Sequence, residues 1–165
     1  MNFREMRRKN QILTEAECTE ILDRNTAGVL AVSGDSGYPY AVPLSYVYAD
    51  GKLYFHCAKS GHKLDAIKSC DRVSFCVIDE DQVVPAEYTT YFRSVIIFGR
   101  ARILEDEMQI RRAMETLALK YSPNETKESR DNEINSEFPA LCVVGIDIDH
   151  MTGKEAIEFV RAKQK

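Results

Sequence analysis

Residues 40–69 read YAVPLSYVYADGKLYFHCAKSGHKLDAIKS and carry the strongest structural signals in the chain. Two β-prone segments flank Asp50-Gly51, the dipeptide that a tight type I′ hairpin turn prefers. Pro43 lies inside the first segment and has no N–H to donate to a ladder. We therefore expect this strand at a sheet edge, at a bulge, or facing something other than a neighbouring strand.

The polar end of this stretch has two interpretations. Residues 62–69 (HKLDAIKS) place Leu64 and Ile67 three apart, which fits a short helix that begins after Gly61. The free amides of a first helical turn, together with His62 and Lys63, would suit a phosphate group. A solvated first turn after a flexible glycine has the same local pattern, so spacing alone does not separate the two.

Further β-prone segments extend from this hairpin in both directions. A capping box formed by Thr14 and Glu17 predicts a helix over about 15–24. Gly99 interrupts a long β-prone run and indicates a bulge or bend there. The predicted barrel strands are GVLAVS (28–33), the two hairpin segments, RVSFCVID (72–79), TTYFRSVIIFGRARIL (89–104) and ALCVVGIDID (140–149).

Helices are predicted between and after these strands. A second capping box, Asp106 with Gln109, starts a helix over about 107–121. One apolar stripe at helical spacing marks its buried face: Met108, Ile110, Met114, Leu117, Ala118 and Tyr121. Residues 122–139 are charged and are predicted to form a surface loop or mobile lid. A last helix is expected over about 154–163.

These elements predict one domain, 1–165, of the mainly β (α+β) class. Strands in hairpins with inserted helices indicate an antiparallel β-barrel (about 28–105 and 140–149) with flanking helices, rather than a doubly wound sheet. No GxGxxG motif occurs, so the dinucleotide-binding fingerprint is missing.

Composition limits the classes of partner. The net charge of −4, from 26 acidic and 22 basic residues, gives no general attraction for nucleic acid or anionic lipid. The first ten residues have no apolar core of signal-peptide length, and no stretch is long enough to span a membrane. We expect a soluble, cytoplasmic protein without nucleic-acid or membrane partners. Five scattered cysteines without CxxC spacing indicate neither a disulfide framework nor a zinc knuckle.

His56 is a candidate for chemistry. On a strand it alternates with Tyr54, opposite to Leu53, Phe55 and Cys57, so one face is core and the other could line a pocket. A proton-donating histidine and a structural, hydrogen-bonded histidine both fit this position. Spacing supplies no third ligand beside His56 and His62, so no metal site is expected.

Arg93-Ser94 and the pair Arg100 and Arg102 place basic side chains on the long strand. Solvated strand charge is the ordinary interpretation, and an anion contact is the alternative.

Three blocks of the sequence, taken together, resemble a known family. They are residues 37–77 (from GYPYAVPLSYVYADG to DRVSFCV), FRSVIIFGRARIL and IDIDHMTGKEA. In this order and spacing they resemble the flavin-binding split-barrel family related to pyridoxamine 5'-phosphate oxidase, and most closely its branch of nitroimidazole-resistance reductases. The resemblance covers about residues 6–155 and implies a split β-barrel homodimer with FMN in the cleft between protomers.

The resemblance also implies roles for particular residues. The isoalloxazine ring would lie along Val42, Pro43, Leu44 and Ser45. His56 and Cys57 would lie near the ribityl chain and phosphate, and His62 and Lys63 would bind the phosphate. Arg93 and Ser94 would reach the flavin from further along the sheet. His56 is the candidate catalytic residue.

The implied activity is FMN-dependent reduction of a small, flat acceptor such as a nitroimidazole or nitroaromatic. Tyr46, Tyr88 and residues 122–139 are candidates for selecting that acceptor. The oxidase proper has arginine-rich phosphate contacts and a C-terminal substrate segment, whereas this tail ends FVRAKQK, which argues against vitamin B6 oxidation. The alternatives are a flavin store or redox sensor without turnover, and the same barrel holding haem or a deazaflavin.

Overall fold

A computed structural model describes residues 3–164. It contains five α-helices, which are α1 (Glu15–Arg24), α2 (His62–Ser69), α3 (Glu107–Tyr121), α4 (Lys127–Glu137) and α5 (Ile157–Lys163). Its strands are β1 (Ile12–Leu13), β2 (Ala27–Ser33), β3 (Pro39–Ser45), β4 (Val47–Ala49), β5 (Lys52–Ala58), β6 (Arg72–Val84), β7 (Thr89–Ile103) and β8 (Leu141–Glu155).

The eight strands form one antiparallel sheet in the order β3-β2-β6-β7-β8-β5-β4, and β1 adds to β8. The edge strands β3 and β4 are separated in the chain by Tyr46 alone. Because one residue cannot cross a flat sheet of this width, the sheet must curl until its two edges meet. The predicted mainly β fold, an antiparallel split barrel with flanking helices, is therefore confirmed, and the sheet is not closed.

The hairpin turn, the edge strand and the bulge lie where the sequence predicts them. Asp50 and Gly51 both have positive φ (52° and 72°), as a type I′ turn requires, and they join β4 to β5. Pro43 lies in β3, which is an edge strand of the sheet. On its outer side β3 has no neighbouring strand to which an N–H of residue 43 would have to donate. The β7–β8 register shifts between Phe98 and Gly99, which is the bulge that Gly99 predicted.

Two apolar clusters fill the two sides of the sheet. The barrel interior contains side chains such as Leu30, Phe55 and Ile97, all inaccessible to solvent. α1 and α2 close this interior through Leu22 and Leu64. The second cluster lies outside the barrel, where α3 and α4 cover the outer face of β4, β5 and β8 with residues that include Met114, Leu117, Ile134 and Val143.

Several element boundaries differ from the sequence predictions. Residues 122–139 contain α4 instead of being a loop, because Thr126 caps the helix and Ile134 packs into the second cluster. β8 continues to Glu155, since Met151–Glu155 pair with β7, so the last helix begins at Ile157 and not near 154. Met108, predicted in the buried stripe, is 78% exposed because it lies in the first turn of α3.

No helix within residues 3–164 is both long enough and apolar enough to cross a lipid bilayer.

Candidate functional site

Strand alternation divides the β3 residues between the two sides of the sheet. Val42 and Leu44 are half-buried and pack against the barrel interior, whereas Pro43 and Ser45 are exposed on the outer face. On β5, Phe55 is buried in the barrel and His56 is exposed outside it. Side chains of Ser45 and His56 can therefore meet a ligand that lies outside the barrel.

Ser45 and His56 line the same cavity, of ≈ 510 Å³, between the sheet and the helices α3 and α4. Its apolar lining includes Met114, Leu117 and Ile134. A cavity of this volume can hold a small molecule, and polar and charged side chains complete its lining.

The rim of this cavity, contributed by α4 and the residues before it, is acidic. Glu125, Glu133 and Glu137 line it together with one arginine, Arg130. Arg130 donates from Nε to Glu115 at 3.0 Å and from Nη1 to the Glu125 carbonyl at 2.6 Å. Since its guanidinium already has these partners, the cavity offers more negative than positive charge to a ligand.

Sequence reasoning missed Arg130 and the rest of α4, because residues 122–139 are charged and contain few large apolar side chains. The signals were weak but present: Thr126 occupies an N-cap position, and Ile134 and Phe138 are four apart.

Neither Tyr46 nor Tyr88, the two tyrosines predicted to help select the acceptor, lines this cavity. Tyr46 is fully buried, and its hydroxyl donates to the Leu22 carbonyl at 2.9 Å. Tyr88 is 99% exposed in the turn between β6 and β7 and does not line the cavity. Tyr121 from α3 lines the cavity instead, and its hydroxyl accepts from the Tyr46 amide at 2.9 Å.

The start of α2 offers donors to an anion. Gly61 is the N-cap with φ of 135°, a conformation that glycine adopts without strain, and it supplies no side-chain cap to the first-turn amides. The His62 ring stacks on Tyr40 with centroids 4.2 Å apart, and its Nε2 lies 3.7 Å from the Asp35 carboxylate. Within residues 3–164, no ion pair includes Lys63, so its charge is available.

Cys57 has a different orientation from His56. Its side chain packs against the barrel interior, and burial raises the pKa of its thiol, an effect that the charge of Lys63 opposes. Only the backbone of Cys57 can share the outer face with the His56 side chain.

Arg93 belongs to a buried network of charges. Its guanidinium lies 3.3 Å from Asp79 and 3.4 Å from Glu155, and it stacks on the Phe159 ring at 4.5 Å. Both carboxylates are nearly inaccessible to solvent. Burial acts to raise the pKa of Asp79, but hydrogen bonds donated by Arg24 and Asn25 outweigh it and the pKa is lowered.

Ser94 lies on the outer face of β7, next to the buried Val95. β2 and β6 lie between its strand and β3. Three strand spacings of about 4.8 Å separate β7 from β3, so Ser94 and Ser45 are about 14 Å apart across the sheet. The structure thus places the proposed flavin residues in two groups, one around β3, β5 and α2 and the other on β7.

An apolar row runs across the outer face between these two groups. The register pairs Pro43 with Val29, Val29 with Cys76, and Cys76 with Ile96. Neighbouring positions on this face include Ile78 and Phe98, which are 59% and 42% exposed. We call the surface formed by Val29, Cys76, Ile78, Ile96 and Phe98 the open face. Three of these side chains, Ile78, Ile96 and Phe98, are exposed, and the Phe3 ring stacks on Phe98.

Comparison with known proteins gives a family and several similar structures. The family model described as pyridoxamine 5'-phosphate oxidase matches residues 14–155. No curated protein matches the chain.

Three of the similar solved structures cover most of the chain. A candidate 5-nitroimidazole antibiotic resistance protein from Bacteroides thetaiotaomicron is 20% identical with a TM-score of 0.73, over 87% of this chain and 86% of that one. An FAD-binding protein from Mesorhizobium loti is 28% identical with a TM-score of 0.64, over 88% and 97%. An FAD and haem binding protein from Mycobacterium smegmatis is 20% identical with a TM-score of 0.73, over 93% and 80%.

Proposed function

Because the chain belongs to the pyridoxamine 5'-phosphate oxidase family, we propose that it is an FMN-dependent oxidoreductase that reduces a small, flat acceptor such as a nitroaromatic compound. The observation that carries the proposal is the cavity that Ser45 and His56 line together with α3 and α4. The start of α2, where no side chain caps the first-turn amides, is a separate set of donors. The family supplies the cofactor class, and the cavity supplies room for a second small molecule.

The donor set at α2 fits the FMN phosphate. The uncapped amides of the first turn, the His62 ring and the Lys63 ammonium group would hold it. The ring system would lie along residues 42–45, with Pro43 and Ser45 offering the side chains that face outward. His56 and the backbone of Cys57 would lie near the ribityl chain. Bound FMN would supply the electron transfer, while these residues fix its position.

His56 is the residue we assign to proton transfer. Its imidazole is exposed into the cavity, where an acceptor could lie between the flavin and α3. A nitro group or quinone takes up protons as it is reduced, and an imidazole nitrogen can donate one near neutral pH. Ser45 offers a hydroxyl group to orient the acceptor, whereas the Tyr121 hydroxyl is already bonded to backbone atoms of Thr26 and Tyr46.

The charge of the cavity favours a neutral or cationic acceptor. Glu125, Glu133 and Glu137 would repel an anion, and Arg130 is already paired. Neutral nitroimidazoles and quinones fit this field, whereas a phosphorylated vitamin would bring two negative charges to it. This supports nitroreductase-like chemistry over pyridoxamine-phosphate oxidation.

A homodimer would bring the two groups of proposed flavin residues together. Within one chain, Arg93 and Ser94 lie about 14 Å from Ser45 across the sheet. Packing a second copy onto the open face would bury its exposed isoleucines and Phe98. Two-fold symmetry would then form two identical sites, each with one group of flavin residues from each copy. We propose that FMN is held in the resulting cleft.

The experiment begins with the absorption spectrum of the purified protein and chromatography of the released cofactor. We expect a flavin spectrum and FMN, and a Soret band or a colourless protein that binds no added flavin would overturn the proposal. FAD in place of FMN would overturn the cofactor assignment.

Turnover then tests the reaction. A neutral nitroimidazole should be reduced faster than 4-nitrobenzoate, which is equally flat but anionic, with a reduced nicotinamide as donor. Tight flavin binding with no turnover across nitroaromatics and quinones would favour the alternative of a flavin store or sensor.

A further inference from the structure

Two cysteines face each other on neighbouring strands of the barrel. Cys57 on β5 and Cys142 on β8 are direct register partners, on the rung next to the one that pairs His56 with Val143. Both are free thiols, and both are partly buried against the barrel interior. They are separated by 84 intervening positions in the sequence, so only the β5–β8 pairing brings them together.

The geometry of a β-ladder suits a disulfide at such a pair. Directly opposed residues of antiparallel strands have Cα atoms about 4.5 or 5.5 Å apart, depending on the kind of pair. Disulfides span Cα separations of about 4.4–6.8 Å, so either kind of pair lies within reach. The bond could therefore form without moving the strands apart.

A second cavity gives an oxidant access to this pair. It has a volume of ≈ 630 Å³ and lies at the α2 end of the barrel, where Cys142 lines it together with Leu64, Ile67 and the cations Lys59 and Lys68. Burial raises the pKa of the Cys142 thiol, but the hydrogen bond from Cys57 and the charges of Lys68 and Lys59 act in the opposite direction. The pKa of both thiols stays raised by burial, and Cys142 is the one of the two that lines the cavity.

We propose that Cys57 and Cys142 form a reversible intramolecular disulfide when the protein meets a hydroperoxide. The Cys142 thiolate attacks the distal peroxide oxygen, the O–O bond breaks, and the alcohol or water leaves with a proton, which produces a sulfenic acid. The Cys57 thiol then attacks the Cys142 sulfur and releases water. Overall, two thiols and one hydroperoxide give one disulfide, one alcohol and one water, and the peroxide is the species reduced.

The other cysteines provide internal controls. Cys76 faces Val29 and Ile96 across its two ladders, and Cys18 lies in α1. Cys70 follows α2 and has no cysteine as register partner. None of the three has a thiol opposite it within the described strands.

The test is peptide mapping of the full-length protein after graded hydrogen peroxide and alkylation of remaining thiols. Trypsin releases Cys57 in the peptide Leu53–Lys59 and Cys142 in Asp131–Lys154. We expect these two peptides to be linked, two hydrogen atoms lighter than their sum, in the parent and in Cys76→Ser. The linked species should be lost in Cys142→Ser and should disappear from the parent on treatment with dithiothreitol.

Other products would overturn the proposal. These are sulfinic or sulfonic acid on Cys142 without the linked peptide, a dominant link to Cys18, Cys70 or Cys76, or full alkylation of both thiols at a peroxide dose that oxidises an exposed reference thiol. None of these measurements depends on flavin binding or turnover, so they remain informative if the proposed function fails.

Discussion

Two regions of this molecule each carry a cation that is a candidate flavin contact, and the surroundings of the two cations differ. At the start of α2, Lys63 has no ion-pair partner within residues 3–164, and the helix end beside it is uncapped. On β7, Arg93 lies between two buried carboxylates and against an aromatic ring. The family resemblance implies flavin contact for both.

This difference separates a cation that can bind a ligand from one that stabilises the fold. A phosphate can take up the charge of Lys63 without breaking an existing bond. Moving the Arg93 guanidinium to a ligand would leave Asp79 with Arg24 and Glu155 with Lys163 as their remaining cations, and losing one partner of a buried carboxylate is costly. If Arg93 contributes to the flavin site, it does so while it remains paired, as a fixed part of the wall.

The largest expected effect concerns the paired cation. Arg93→Ala removes one cation from two buried carboxylates, which keep Arg24 and Lys163 as partners, and we expect the free energy of unfolding to fall by about 1.5–3 kcal/mol. Urea denaturation measures it. Arg102→Ala is the matched control, since Arg102 pairs with Asp147 on β8 but is 60% exposed, and should cost at most about 1 kcal/mol. Equal small losses in both variants would contradict the distinction between the two regions.

Substitutions of His56 test the proposed proton transfer in the cavity. His56→Ala should lower turnover of a nitroimidazole about 100-fold, the lower range for loss of general acid catalysis, and leave flavin affinity nearly unchanged. His56→Gln, which can hydrogen-bond but not deliver a proton at neutral pH, should lose as much turnover as the alanine variant. If glutamine restores turnover, His56 only orients the acceptor or cofactor. If flavin affinity falls in parallel, it is a cofactor contact.

We expect Lys63, the unpaired cation, to affect the affinity for FMN and not the free energy of unfolding. Lys63→Ala removes a charge-assisted hydrogen bond to phosphate, so FMN affinity should fall by about 1–3 kcal/mol, measured by flavin-fluorescence titration. Lys68→Ala, at the other end of α2, is the control and should bind FMN like the parent. Binding of riboflavin, which has no phosphate, should be the same in all three proteins. An unchanged FMN affinity for Lys63→Ala would remove the phosphate assignment.

The smallest expected effect is a dependence of stability on pH. The folded-state pKa of Asp79 is lowered from its ordinary value of 3.8, because the hydrogen bonds from Arg24 and Asn25 outweigh burial. The stability this provides is present above about pH 4 and is lost as the pH falls through the folded-state pKa. We expect Asp79→Asn to be less stable than the parent at pH 7 and to show a shallower decline below pH 4. Parallel stability profiles would contradict this role of Asp79.

Local chemistry made much of the fold predictable. The Asp50-Gly51 turn, the Thr14 capping box and the Gly99 bulge each depend on a few adjacent residues, and their signals are visible in the sequence. The helix α4 was missed because its residues are mostly polar and its stability comes from Ile134, which packs against β-strands distant in sequence. The extension of β8 to Glu155 was missed for a similar reason, since the pairing partner β7 supplies it.

Local sequence patterns predicted only part of the candidate site. Alternation along β5 separated His56 from Cys57, and the spacing of HKLDAIKS placed Lys63 at a helix start. Nothing local indicated that Tyr46 would be buried at the corner between the two sheet edges, or that α4 would give the cavity an acidic rim.

Adjacent residues are enough to predict the turns, the helix caps and the alternation of faces, and three ordered blocks indicate the family. Which charges are paired and which thiols face each other became visible in the folded chain alone. Arg93 and Lys63 are both cations in sequence, and Cys57 is one of five scattered cysteines. The availability of a charge and the partner of a thiol depend on residues that pairing and packing bring together from distant parts of the chain.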